Sequence, residues 1–249
     1  MTPDILFYIC AAIAVFFTGL SKGGFAGIGA IAMPIMALGG DPIAGAAILL
    51  PILICQDAVG IWSYRKTVDK RIVFIMLPSM TLGVYIGYLY ADMLSRDAIM
   101  GAVGAISLFF GLHNLWKKFK GKIQIAASSK LSSGLLFGTI TGFTSQIAHA
   151  GGPPFYMWIL PQKLQRDVLV GTKSIAFGYV NWIKVPAFLA LGQMTTQNLK
   201  TSAILLPLAI ISTFIGVAIV KRIETEKFYL IIYVMMCLLG AKLLFEAIY

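Results

Sequence analysis

Eight runs of 16 to 24 predominantly apolar residues divide this chain, and polar loops are all that separates them. About 20 apolar residues in a helix span the roughly 30 Å hydrocarbon core of a bilayer, and runs of this length are too long for buried strands. A closed barrel also spans membranes, but the alternation that a barrel strand needs is missing here. Composition points the same way. The chain is 59% hydrophobic and 12% charged, whereas soluble domains run at about 45–50% apolar and about 25% charged. A water-soluble fold is excluded, and an all-α polytopic membrane protein is expected.

The runs fall into two sets of five once two shorter ones are included. Ile5 to Leu20, Phe25 to Leu38, Pro42 to Tyr64, Ile72 to Ala91 and Ala98 to Trp116 form the first. Leu131 to Ala148, Gly151 to Leu160, Val168 to Leu191, Ala203 to Val220 and Phe228 to Ile248 form the second. The second member of each set has 14 and 10 residues, too few to cross at 1.5 Å per residue. Half-helices or re-entrant pieces are expected there, with about eight full spans elsewhere. Residue types also align between the sets. Thr18-Gly19-Leu20-Ser21 matches Thr141-Gly142-Phe143-Thr144 at an offset of 123, and Pro78, Gly87 and Gly111 match Pro207, Gly216 and Gly240 at 129. An insertion around Pro161 to Asp167 absorbs the difference. Residues 1–249 thus read as one transporter domain made of two repeats, 4–118 and 130–248.

Loop charge sets the orientation of each copy. Arg65, Lys66, Lys70 and Arg71 follow the third run, and Lys117, Lys118, Lys120 and Lys122 follow the fifth. Lys and Arg favour cytoplasmic loops, so both loops are assigned there. In the second copy the loop 192–200 holds one base, whereas Lys221, Arg222 and Lys227 follow the ninth run. Equivalent loops therefore carry opposite charge, as inverted repeats would, and both termini are expected outside the cytoplasm. The excess of 20 basic over 10 acidic residues belongs to these loops and to anionic lipid, not to nucleic acid. Cys10, Cys55 and Cys237 lie inside apolar runs without metal or CxxC spacing and read as packing residues. No metal or cofactor site is expected. The N-terminus lacks a positive n-region and a cleavage site, so the first run is expected to be retained.

Two unusual stretches occupy matching places, Gly19 to Gly27 and Thr144 to Pro154. Glycine lets backbone N–H groups approach a ligand, proline suits the first turn of a helix, and a helix restarting there aims its positive end at an anion. A polar turn with small packing residues is the plain alternative. Gly83xxxGly87 and Gly134xxxGly138 are of the packing kind.

The run Lys22-Gly23-Gly24 through Met33-Pro34, with its echo His149-Ala150-Gly151-Gly152-Pro153, resembles the sulfite exporter TauE/SafE family, and the likeness extends over essentially the whole chain. The first copy departs from the usual run of glycines by placing Phe25 and Ala26 before Gly27. The resemblance implies transport, in the direction of export, of sulfite or a related sulfonate across a bacterial inner membrane.

A site is expected between the two loops. Lys22 supplies charge together with the positive end of a helix starting near Phe25, the backbone of Gly23, Gly24, Gly151 and Gly152 supplies N–H donors, and Ser21, Thr144, Ser145 and Gln146 supply neutral hydrogen bonds. A buried membrane lysine costs about 2.5–3.5 kcal/mol and is usually functional, unless it snorkels to the interface. His149 either binds the anion, carries a proton or serves an interfacial turn. Asp57 and Lys184, near Gln56 and Asn181, either pair or line a polar path. His113 reads as an interface residue. Gly19-Leu20-Ser21-Lys22-Gly23 fits G-x-S-x-G, but a nucleophile elbow needs a strand-to-helix turn, so an intramembrane serine hydrolase is disfavoured. No Walker A sequence occurs, leaving passive transport or coupling to H+ or Na+. A carrier or channel for another organic anion, a non-transporting accessory protein and an oligomer stay open.

Overall fold

A computed structural model describes residues 5–25, 28–32, 35–36, 42–90, 96–120, 130–148, 150–190, 192 and 194–248. The described residues are helical and include no strand. In chain order the helices are α1 (Ile5–Lys22), a 3-10 turn (Ile28–Ile31), α2 (Pro42–Tyr64), α3 (Lys70–Leu89), α4 (Arg96–Phe119) and α5 (Leu131–Ala148). They continue with α6 (Gly152–Ile159), a 3-10 turn (Leu160–Gln162), α7 (Arg166–Ala190), α8 (Thr196–Arg222) and α9 (Thr225–Ile248). Six of these are long and apolar enough to cross a membrane: α1, α2, α3, α4, α8 and α9. Helices α5 and α7 are long enough but carry more polar residues. Side chains such as Phe74, Phe109, Phe119 and Phe245 stand exposed on the helices, which suits a surface bathed in lipid. His113 lies on α4, stacked 5.8 Å from Phe109 and 6.4 Å from Trp116.

The second copy's short run is a short helix in the structure. At 1.5 Å per residue, the eight residues of α6 reach about 12 Å. The first copy's run holds the 3-10 turn and helical residues at Ala32 and Ile35–Met36. Ala26-Gly27 and Met33-Pro34 lie outside the described residues.

Close packing divides the chain into two compact units. One takes Met1–Lys66 and Lys173–Arg222, the other Thr67–Thr172 and Ile223–Tyr249. Each unit draws helices from both sequence repeats, so neither coincides with 4–118 or 130–248.

In the first unit α1 lies along α8 with glycines at the seam. A Cβ on Gly19 would overlap Ser212, and one on Gly23 would overlap the backbone of Gly216 and Val217. Contacts advance together along both helices, so the pair is parallel. In the second unit α3 and α5 are also parallel. Gly83 sits on the Thr139 carbonyl, Gly138 on Ser79, Gly142 on the Met80 carbonyl and Gly87 on Gln146. The small residues expected to serve packing at Gly83, Gly87, Gly134 and Gly138 do so. Gly23 against Gly216 and Gln146 against Gly87 are the same two positions under the offsets 123 and 129.

The second unit also packs α4 on α9, in opposite directions. Gly104 meets the Gly240 carbonyl and Gly111 meets the Tyr233 carbonyl, and each pairing maps onto the other by the offset of 129. Ser107 adds a hydrogen bond to the Met236 carbonyl at 2.9 Å. The inserted loop is tied down within the same unit. Lys163 adopts φ 54, uncommon for a residue with a Cβ, and donates to the Tyr233 hydroxyl at 3.1 Å while lying 4.9 Å from the Tyr229 ring centre. Tyr229 in turn donates to the Leu164 carbonyl at 2.9 Å. Burial, and then the charge of Lys118, hold the Lys163 ammonium below the usual lysine range.

Candidate functional site

The end of α1 is built by glycine. The Phe25 N–H reaches the Leu20 carbonyl at 3.2 Å and the Gly24 N–H reaches that of Ser21 at 3.1 Å, the paired bonds of a Schellman cap. Gly24 takes φ 134, which residues with a Cβ rarely adopt. Gly23 donates to the Gly19 carbonyl at 2.8 Å.

Two sequence expectations change here. The helix runs through Lys22 instead of ending before it, and Phe25 is not a helix start but the closing residue of the cap. The N–H groups of Gly23 and Gly24, expected to face an anion, are used in closing α1, because a helix end leaves carbonyls that must find donors. Lys22 occupies the last turn, where a cation meets the negative end of the helix.

Lys22 also has a partner that the sequence did not announce. Its Nζ lies 2.6 Å from Asp57 Oδ1 on α2, with side chains 13% and 3% exposed. Asn181 on α7 donates to the other carboxylate oxygen at 2.6 Å. Lys173, also on α7, donates to the Ser21 carbonyl at 2.8 Å. Lys173 and Lys184 are buried, 7% and 3% exposed, and both lie within the fields of Lys22 and Asp57. Lys173, Asn181 and Lys184 stand at i, i+8 and i+11, one face of a helix with 3.6 residues per turn. The face runs about 16 Å at 1.5 Å per residue. Helix α2 approaches it closely, since Gly60 lies against Ser174 and Gly178 against Asp57. Tyr64 donates to the Gly23 carbonyl at 3.2 Å and Gln56 Nε2 to that of Val15 at 3.1 Å. Gln56 Oε1 is buried and has no hydrogen-bond partner among the described residues.

Among the described residues of this unit, Asp57 is the one acidic side chain. Lys22 therefore pairs with the carboxylate directly, and the buried Lys173 and Lys184 lie within its field. Sequence reasoning singled out Lys22, Asp57, Asn181, Gln56 and Lys184, which the fold brings together. It missed Lys173, which by position alone reads as an ordinary base near the start of a segment.

The second loop lies in the other unit. Thr144 is buried and donates to the Ile140 carbonyl of its own helix at 2.8 Å, so its proton serves α5. Ser145 is buried, and Gln146 Oε1 has no hydrogen-bond partner among the described residues. The Ala150 N–H bridges back to the Thr144 carbonyl at 3.1 Å. Gly151 caps α6 without a side-chain bond, with proline in the first turn, as expected for a restarting helix. A Cβ on Gly152 would meet nothing within 4 Å. His149 lies outside the described residues.

A family model described as Sulfite exporter TauE/SafE matches residues 11–243. The chain belongs to the sulfite exporter TauE/SafE family. Comparison with curated proteins and with solved structures gives no match. As a TauE/SafE member the chain is a multi-pass membrane protein of a transporter family, in keeping with its six apolar helices.

Proposed function

We propose that this TauE/SafE member carries a small sulfur-containing oxyanion, such as sulfite or an organosulfonate, and that the lysine-rich face of α7 handles its charge. One observation carries this reading: Lys22 and the buried Lys173 and Lys184 lie within reach of the field of Asp57, the one acid among the described residues of their unit. A desolvated anion needs opposite charge and hydrogen bonds to offset lost hydration, and ionisable groups inside membrane segments mark ion pathways. Ser21 beside Lys22, and in the second loop Ser145, Gln146, Gly151 and Gly152, are further polar groups for the oxyanion, whereas Thr144 uses its proton within α5; His149 or Asp57 supplies coupling to H+. An inverted duplication suits alternating access around such a site. The antiparallel packing of α4 on α9 supports it, because these are equivalent helices running in opposite directions.

Counterflow in reconstituted vesicles tests the reading with sulfite, sulfate, sulfoacetate and a non-sulfur carboxylate. Sulfite or a sulfonate should exchange, and exchange should fall at least tenfold in Lys173→Gln. Flux of the carboxylate alone would move the protein to another organic anion, and no flux of any anion would overturn the proposal.

A further inference from the structure

We propose that Asp57 is a tethered occupant of the anion site, competing with the transported anion for the donors that hold both. The inference rests on the reading of the lysine cluster as the anion site and specifies how that site is kept when empty of substrate.

Geometry is the first argument. The two carboxylate oxygens of Asp57 are held separately, one by Lys22 Nζ and one by Asn181 Nδ2, each at 2.6 Å. These donors come from different helices, α1 and α7, and meet at one carboxylate carried by a third, α2. Two donors placed for the oxygens of one X–O edge are placed equally for an edge of a pyramidal or tetrahedral oxyanion, so Asp57 marks the shape of the ligand.

Charge is the second argument. Lysines on one buried helix face and at the end of α1 are costly to charge in an apolar surrounding without a counter-charge. A carboxylate on the chain supplies part of it permanently. A mobile anion arriving at Lys22 must then displace Asp57, and only an anion that binds better than a carboxylate does so. Discrimination against carboxylates follows from the fold, since a bare carboxylate offers the donors nothing that Asp57 does not already give. A pyramidal or tetrahedral oxyanion has a third oxygen to present to Lys173 or Lys184, which a carboxylate lacks.

The test is titration of purified protein with sulfite and with acetate by calorimetry. Asp57→Asn keeps the side-chain size and removes the competing charge. Sulfite should bind at least tenfold tighter, a change of about 1.4 kcal/mol, and acetate, silent on the wild type, should become a competitor. Equal or weaker sulfite binding would make Asp57 a structural partner and overturn the inference. If Asp57→Asn does not fold, the comparison is made between Lys22→Gln and Lys22→Gln/Asp57→Asn, whose partners leave together. The double variant should bind sulfite more tightly than the single one, and the reverse order overturns the inference in the same way. Lys173→Gln/Lys184→Gln separates the two levels of argument. Unchanged sulfite affinity there removes the anion site itself, whereas loss of binding there with no gain in Asp57→Asn removes only the competition.

Discussion

Each of the two compact units has its own seam of parallel helices, and the two seams differ in what they carry. In one, α1 lies along α8 with Gly23 on Gly216. In the other, α5 lies along α3 with Gln146 on Gly87. The register is equivalent, yet one residue before it the first unit has Lys22 and the second has Ser145. The contrast extends to the buried polar groups. Both units bury hydroxyls, such as Thr18 and Ser212 in the first and Thr141 and Thr144 in the second, but the buried charged side chains Asp57, Lys173 and Lys184 all belong to the first. Hydroxyls can donate to carbonyls of their own helix, as Thr144 and Ser79 do, so burying them asks for no distant partner. Charges cannot be satisfied locally and tie three helices together. Matched positions thus share a packing frame and differ in the chemistry they carry.

The largest expected effect comes from breaking the charged unit at its centre. Lys22→Ala leaves Asp57 buried with Asn181 alone, and removing one partner of a buried pair costs about 3–5 kcal/mol. Stability should therefore fall together with anion affinity. Thermal unfolding in detergent measures it. Ser145→Ala, the matched change in the second unit, should cost far less, and equal losses would erase the contrast between the units.

Next come the seams, where the units should behave alike. A Cβ at Gly23 meets the Gly216 backbone, and one at Gly83 meets the Thr139 carbonyl, and backbone cannot step aside. Gly23→Ala and Gly83→Ala should each cost about 1–3 kcal/mol, the usual cost of overpacking. Should one unit tolerate alanine while the other unfolds, the shared register would not reflect shared packing.

A smaller difference concerns how each interrupted end is strapped. In the first unit the Tyr64 hydroxyl holds the Gly23 carbonyl, whereas in the second the Ala150 amide folds back on Thr144. Tyr64→Phe should cost about 1 kcal/mol, the net value of a hydrogen bond. Hydrogen exchange at Gly24 and Phe25 would show whether the loss is confined to the cap, as this account requires.

Much of this architecture was legible because membrane helices leave periodic marks. Apolar length gave the helices, and matched Thr-Gly and Pro/Gly positions gave a register that the seams then used. The chemistry was less legible, because it depends on pairs far apart in the chain. Lys22 and Asp57 are 35 residues apart and Lys173 and Ser21 are 152 apart, and no local pattern announces either. The glycines misled for a related reason. Gly23 and Gly24 look like ligand-facing backbone, but a helix end needs the same freedom to close on itself. Only the hydrogen-bond pattern separates the two uses.

The least perturbing change asks the sharpest question of the second unit. Gly152 opens α6, its built Cβ meets nothing within 4 Å, and its φ lies outside the left-handed region. Alanine there should shift stability by no more than about 0.5 kcal/mol, the range of a substitution that touches nothing. A glycine where packing does not require one leaves room for a ligand to approach the backbone. The N-terminus of α6 presents the N–H groups of Gly151 and Gly152, since Pro153 and Pro154 have none, together with a positive dipole end. A methyl group at Gly152 would then stand in the path of the ligand. Gly152→Ala is accordingly expected to unfold at the wild-type temperature while sulfite counterflow drops several-fold. Wild-type flux together with wild-type stability would restrict anion handling to the charged unit and leave the second unit as scaffold.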